Sequence, residues 1–140
     1  MAKQIQDYNV SAPASSNGAL NRAIPASPST IKLAEFGLSI PTNTNHVELT
    51  GSVGWEATLG NPIVLIKLFR GSQIIFTTTS QIDISVENNR TVSFNAVDFN
   101  VPAGPQAYSI TIELTNSLGL LNQGAVIGPV TYTGMAIGNA

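Results

Sequence analysis

Two-residue alternation, repeated at intervals of about ten residues, constrains this chain more than any other feature of it. In HVELTGSVGWEAT (46–58), Val47, Leu49, Gly51, Val53, Trp55 and Ala57 share one side, and His46, Glu48, Thr50, Ser52, Gly54 and Glu56 the other. That is the pattern of a strand with one face on a core. VPAGPQAYSITIELTN (101–116) repeats it after a turn fixed by Pro102, Gly104 and Pro105. Here Tyr108, Ile110, Ile112 and Leu114 are expected inside, with Ser109, Thr111, Glu113 and Thr115 in water. IVLIKLFR (63–70) is apolar on both faces apart from Lys67, which predicts cover on both sides. Arg70-Gly71-Ser72 reads as a tight hairpin turn. Gly51 and Gly54 mark a bulge or close backbone approach, and Pro129 an edge or bulge in the last strand.

No segment carries a helical period long enough to cross over between parallel strands. The expected fold is all-β: a jelly-roll-like β-sandwich of about seven to eight antiparallel strands over residues 30–140. An immunoglobulin-like sandwich is the competing architecture. Tyr108 after a Pro/Gly corner is similar to a tyrosine corner, but the cysteines and their tryptophan partner are missing.

Residues 1–29 differ in kind, being rich in Ala, Ser, Asn and Pro with no sustained period. They are expected to form a flexible arm or connector. Two readings of it stand: a disordered tail, or an assembly arm that adds a strand to a neighbouring subunit. In the second, Ile5, Gln6, Tyr8 and Val10 are the anchors, since strand addition uses main-chain hydrogen bonds and alternate side-chain pockets.

Chemistry is sparse. The chain has no cysteine, which removes thiolate nucleophiles, disulfides and Cys-bound zinc. His46 is the sole histidine and has only Glu48 nearby in sequence, so a solvent-facing strand residue is expected rather than a metal ligand. Ser52 in TGSVG lacks the spacing of a nucleophile elbow. Glu48 and Glu56 share a strand face but lie roughly 26 Å apart, too far for a glycosidase pair. The Asp83/Glu87 region lacks a calcium-loop pattern. Asp98 is expected to cap the turn before Pro102, and Trp55 to be buried rather than to stack on a sugar. No enzymatic activity and no cofactor are expected. The net charge of -2 gives no case for nucleic acid. The chain shows no apolar run for membrane insertion and no signal peptide.

The segments IPASPSTIKLA (24–34), VELTGSVGWEAT (47–58), RGSQIIFTTT (70–79), VDFNVPAGPQAYSITIEL (97–114) and AVIGPVTYTG (125–134) carry a family likeness. Together they resemble the exosporium proteins C and D of Bacillus-type spore formers, and are broadly similar to jelly-roll subunits of endospore surface fibres. The resemblance implies a self-assembling component of the spore surface, an exosporium layer or appendage. It would be made in the mother-cell cytosol, with copies of itself and other spore-surface proteins as partners. Some fibre subunits of this kind join through amino-terminal extensions locked by cysteines. This chain has the extension without the cysteines.

The expected function is therefore a non-enzymatic structural subunit, assembling through its sandwich and through donation of its arm. The alternative is a trimeric, surface-displayed binding module, tumour-necrosis-factor-like or lectin-like, for which Phe99 and Tyr132 are the candidate exposed aromatics.

Overall fold

The computed structural model describes residues 2–117 and 121–140. Nine strands follow in order: β1 (Lys3–Ala14), β2 (Arg22–Ala23), β3 (Ile31–Ile40), β4 (Thr44–Leu59), β5 (Ile63–Arg70), β6 (Gln73–Gln81), β7 (Asn89–Phe99), β8 (Gly104–Leu114) and β9 (Gln123–Asn139). Sheet A runs β1-β9-β4-β7, with the short β2 also on β9, and sheet B runs β3-β8-β5-β6. All strand pairs within the sheets are antiparallel. Among the eight long strands only the β5–β6 hairpin stays within one sheet; every other link crosses to the opposite sheet. This is a jelly roll, two sheets of four long strands each lying face to face, with β2 as a short fifth strand on sheet A.

The inner faces come from the alternation itself. Val47, Leu49, Val53 and Trp55 of β4 are fully buried against Ile66 and Leu68 of β5 and Ile110 and Ile112 of β8. Phe36 of β3 bridges the layers, its ring 4.7 Å from that of Tyr132 on β9; within the sheets it lies 5.8 Å from Tyr108, and Phe94 lies 6.0 Å from Tyr132, centroid to centroid. Gly134 makes the seat for Phe36, because a Cβ there would stand 2.6 Å from the ring. Gly54 marks the close approach expected of it. A Cβ would meet Gly128 O at 2.0 Å, where the β4–β9 register shifts between Val53 and Trp55. Pro129 sits at that same bulge, and β9 is an interior strand, so the bulge reading holds and the edge reading does not. Arg70 and Gln73 close the β5–β6 hairpin around Gly71, whose φ is 61°.

Four expectations are corrected. First, residues 1–29 do not form an appended arm. β1 pairs with β9 of its own chain from Lys3 to Ala14, making it the first strand of the jelly roll. The chain after it straps the end of the sandwich. Gly18 and Leu20 donate to Ile127 O, Ile24 donates to Gly124 O and is buried, and Ser27 donates to Leu114 O. Composition could not reveal this order, because it rests on main-chain hydrogen bonds to β9 and not on burial of β1 side chains. Secondly, Ser109, Thr111 and Glu113 are buried, not wet, since β8 lies between β3 and β5 and their long side chains cover it. Thirdly, strict alternation over IKLAEFGLS, which would set Ile31, Leu33, Glu35 and Gly37 opposite Lys32, Ala34, Phe36 and Leu38, is broken by a bulge between Lys32 and Ala34 that buries both Leu33 and Ala34. Fourthly, Asp98 caps no turn; it lies inside β7, pointing into the sandwich. The loop NSLGLLNQG lies partly outside the described residues.

Candidate assembly face

The outer face of sheet A is set by register. One row across it reads Ile5, Ile137, His46, Phe99. The next reads Tyr8, Met135, Glu48, Val97, and the third Val10, Thr133, Thr50, Asn95. Period-2 alternation in four neighbouring strands thus collects side chains from both ends of the sequence. Ile5 is 59% exposed, Tyr8 56%, Val10 47%, Val97 48% and Phe99 63%. Met135 and Ile137 are half-buried between them. Beyond this apolar band the face becomes a hydroxyl array: Thr50 Oγ1 and Thr133 Oγ1 are 2.5 Å apart, and Ser52 Oγ and Thr131 Oγ1 are 2.8 Å apart.

Three of the four arm residues, Ile5, Tyr8 and Val10, therefore meet on this band. Gln6 does not join them. A register shift between Ile5 and Asp7 turns it toward the β3–β4 turn, where Nε2 donates to Asn43 Oδ1 (2.8 Å) and Oε1 accepts from Thr44 Oγ1 (2.6 Å). Sequence reasoning missed Met135, Ile137, Val97 and Phe99 as companions of the arm. The parity of β7 separates Val97 and Phe99 from Phe94 and Ala96, but only the strand order brings them to β1.

The edge beside the band is closed by side chains. Tyr8 N donates to Asp7 Oδ1 (2.9 Å) and Val10 N to Asn9 Oδ1 (2.8 Å). The same two residues reach the edge of sheet B: Ser39 N donates to Asp7 Oδ2 (2.7 Å), and Asn9 Nδ2 donates to Gly37 O (2.8 Å). Edge amides that would otherwise template another strand are thus satisfied within the chain.

Inside the sandwich, Arg70 Nη1 donates to both carboxylate oxygens of Asp98 (2.7 and 2.6 Å), and Tyr108 Oη donates to Asp98 Oδ2 (2.8 Å). This buried pair ties β5, β8 and β7 together directly beneath Phe99. Burial, then the Asp98 carboxylate, pushes the Tyr108 phenol far above its ordinary value; burial and the same charge raise that of Tyr132. Neither phenol is poised for acid–base work, and the network reads as a lock between sheets.

The remaining candidates fall to ordinary roles. His46 Nε2 lies 4.0 Å from Glu48 Oε2 with its ring beside Phe99, and no cluster of three metal-ligating side chains exists among the described residues. Ser52 pairs with Thr131, and Glu56 is half-buried on the β4 outer face. Trp55 is buried, as expected, with Nε1 donating to Ser80 Oγ (3.2 Å). Asp83 accepts from Ser85 N (3.0 Å) and Oγ (2.6 Å), bonds that hold its carboxyl below the ordinary value, and Glu87 pairs with Arg90. Of the two aromatics expected near loops, Phe99 is exposed and Tyr132 is fully buried.

No protein-family model matches the sequence, and no curated protein does. Solved structures match its fold. The structure of the Gt strain of infectious bursal disease virus aligns with a TM-score of 0.58 at 12% identity over 95% of this chain and 33% of that one. The VP2 subviral particle of the same virus gives 0.51 at 14% identity over 96% and 37%. Dimeric latent PorU from Porphyromonas gingivalis gives 0.50 at 10% identity over 99% and 13%. The chain thus spans little more than a third, at most, of these three chains. At such identities the likeness is one of fold.

Proposed function

We propose that this chain is a non-enzymatic structural subunit that self-assembles, serving in a surface layer or fibre of a bacterial spore. The observation that carries the self-assembly is the apolar band on sheet A, exposed on a body whose described residues hold no reactive constellation. An apolar patch of several hundred Å² on a protein surface is often a functional contact site. The fold likeness to a protein of a subviral particle supports a jelly roll used as a building block. The spore surface as its location rests on the sequence resemblance. Sedimentation velocity and negative-stain imaging of the full chain over a range of concentrations test the assembly, with multimers expected and a strict monomer overturning it. Antibody labelling of intact spores tests the location.

Exchange of β1 between copies is a second reading of how subunits join. It is favoured by β1 itself, where Ala14 alone is buried, so the same main-chain bonds to β9 could be made by a neighbour's strand. The binding-module alternative loses one of its two aromatics with the burial of Tyr132.

A further inference from the structure

We infer that the outer face of sheet A is the contact between copies, two such faces packing against each other about a two-fold axis. The inference rests on the self-assembly reading and names the surface that performs it.

Area is the first argument. The exposed fractions of Ile5, Tyr8, Val10, Val97 and Phe99 amount to roughly 500 Å² per copy. Two faces would bury roughly 1,000 Å² from these side chains alone, which is where specific interfaces begin. Met135, Ile137 and the flanking Thr and Asn side chains add to it. Tyr8 and Phe99 stand on opposite edge strands with lower side chains between them, so they can interdigitate with their counterparts as sheets do when they stack about 10 Å apart.

Charge is the second argument. Within the apolar rows the titratable groups besides the Tyr8 phenol are His46 on the first and Glu48 on the second, neighbours on β4. A two-fold passing between them sets each Glu48 against the other copy's His46, so the band complements itself. It carries no cluster of cations, which disfavours an anionic membrane as the occupant.

The third argument is exclusion. The edge next to the band is already closed by Asp7 and Asn9, so strand addition at β1 has no free Tyr8 or Val10 amide to use. The face is what remains on that side.

Sedimentation equilibrium of the full chain, compared with the Tyr8→Glu/Phe99→Glu double variant, tests the inference. The double variant is expected to weaken self-association at least tenfold, about the loss of one interface anchor. Its circular dichroism should match the parent, and so should its thermal midpoint at concentrations where both are monomeric, because both positions are solvent-exposed. Val97→Asp offers an independent variant on the same band, expected to act in the same direction. Thr77→Glu, exposed on sheet B, is the control and should leave association unchanged. Wild-type multimers that persist unweakened in both band variants would overturn the face contact while leaving the structural-subunit reading intact. A wild type that is monomeric throughout would overturn that reading and this inference together. Binding to phosphatidylglycerol vesicles by a monomeric wild type, lost in Val97→Asp, would overturn the two-fold contact in favour of a membrane surface.

Discussion

On the outside of sheet B, a polar strip of β8 is neutralised by its own neighbours; on the outside of sheet A, an apolar band has no such cover. Ser109, Thr111 and Glu113 are buried between the side chains of the flanking strands β3 and β5. Lys67 Nζ stands 2.7 Å from Glu113 Oε1, its aliphatic stem lying along the strip, and the Ser27 hydroxyl donates to the other carboxylate oxygen. The two faces have the same pleat and differ in what crosses them. Long side chains on flanking strands can cover a central polar strand. The band on sheet A includes both edge strands, and nothing flanks an edge. A sandwich can finish one face from within a single chain and leave the other to a second molecule.

Sheet A is most severely disrupted at β1, which supplies three of the band's apolar residues. Deleting residues 1–14 removes an edge strand and uncovers β9, and is expected to cost roughly 5 kcal/mol or more, comparable to the whole stability of a small domain. Chemical denaturation should show an unfolded or aggregated product. A folded, cooperative body after this deletion would mean that β1 is an accessory after all.

Breaking the cover of sheet B comes next. Lys67→Ala leaves the Glu113 carboxylate buried without its cation and should destabilise by about 3 kcal/mol. Glu113→Gln, which removes the charge at its source, should cost about 1 kcal/mol. Urea titration of the two variants measures the difference, and equal losses would show that the strip is not held by charge.

Acid acts on the same carboxylate. Burial raises the pKa of Glu113, but the Lys67 ammonium and the Ser27 hydroxyl outweigh it, so the folded value lies below the ordinary 4.5. A depressed carboxyl contributes stability that is fully present above its unfolded pKa and is lost as pH falls through the folded one. The thermal midpoint of the wild type should therefore fall below about pH 4.5, and that of Glu113→Gln should fall less steeply. Parallel curves would remove Glu113 from the account.

Single polar substitutions within the band should have the smallest effect on folding. Phe99→Ser, at a position 63% exposed, should change stability by no more than about 0.5 kcal/mol while weakening association. A large loss of stability would show that Phe99 supports the fold rather than a contact between copies.

Much of the core was legible in the sequence. The clean alternation of Val47, Leu49, Val53, Trp55 and Ala57 places each of them inside, because both neighbours of β4 are strands and the register shift at Gly54 takes its extra residues from β9. The Arg70-Gly71-Ser72 turn was legible because a left-handed glycine there admits few alternatives. Alternation also says which side of β8 is polar, but not that Lys67 and Lys32 lie alongside it; that depends on strand order. The Asp98–Arg70 pair joins residues 28 apart through the crossing of two sheets, which no local spacing announces. Ile5, Tyr8 and Val10 could be singled out as anchors in an extended segment. Their companions on β9 and β7 could not, for the same topological reason.

The side chains of Asp7 and Asn9 that occupy the β1 and β3 edges have a consequence for how far any strand-by-strand growth could run. A ribbon of added strands needs two open edges on each sheet. Here one edge of each is spoken for, leaving β7 on one sheet and β6 on the other. Growth of that kind stops at a pair, like a polymer whose monomer carries a single reactive end. Any longer array must therefore alternate between two different contacts, and its length can be set by weakening either one.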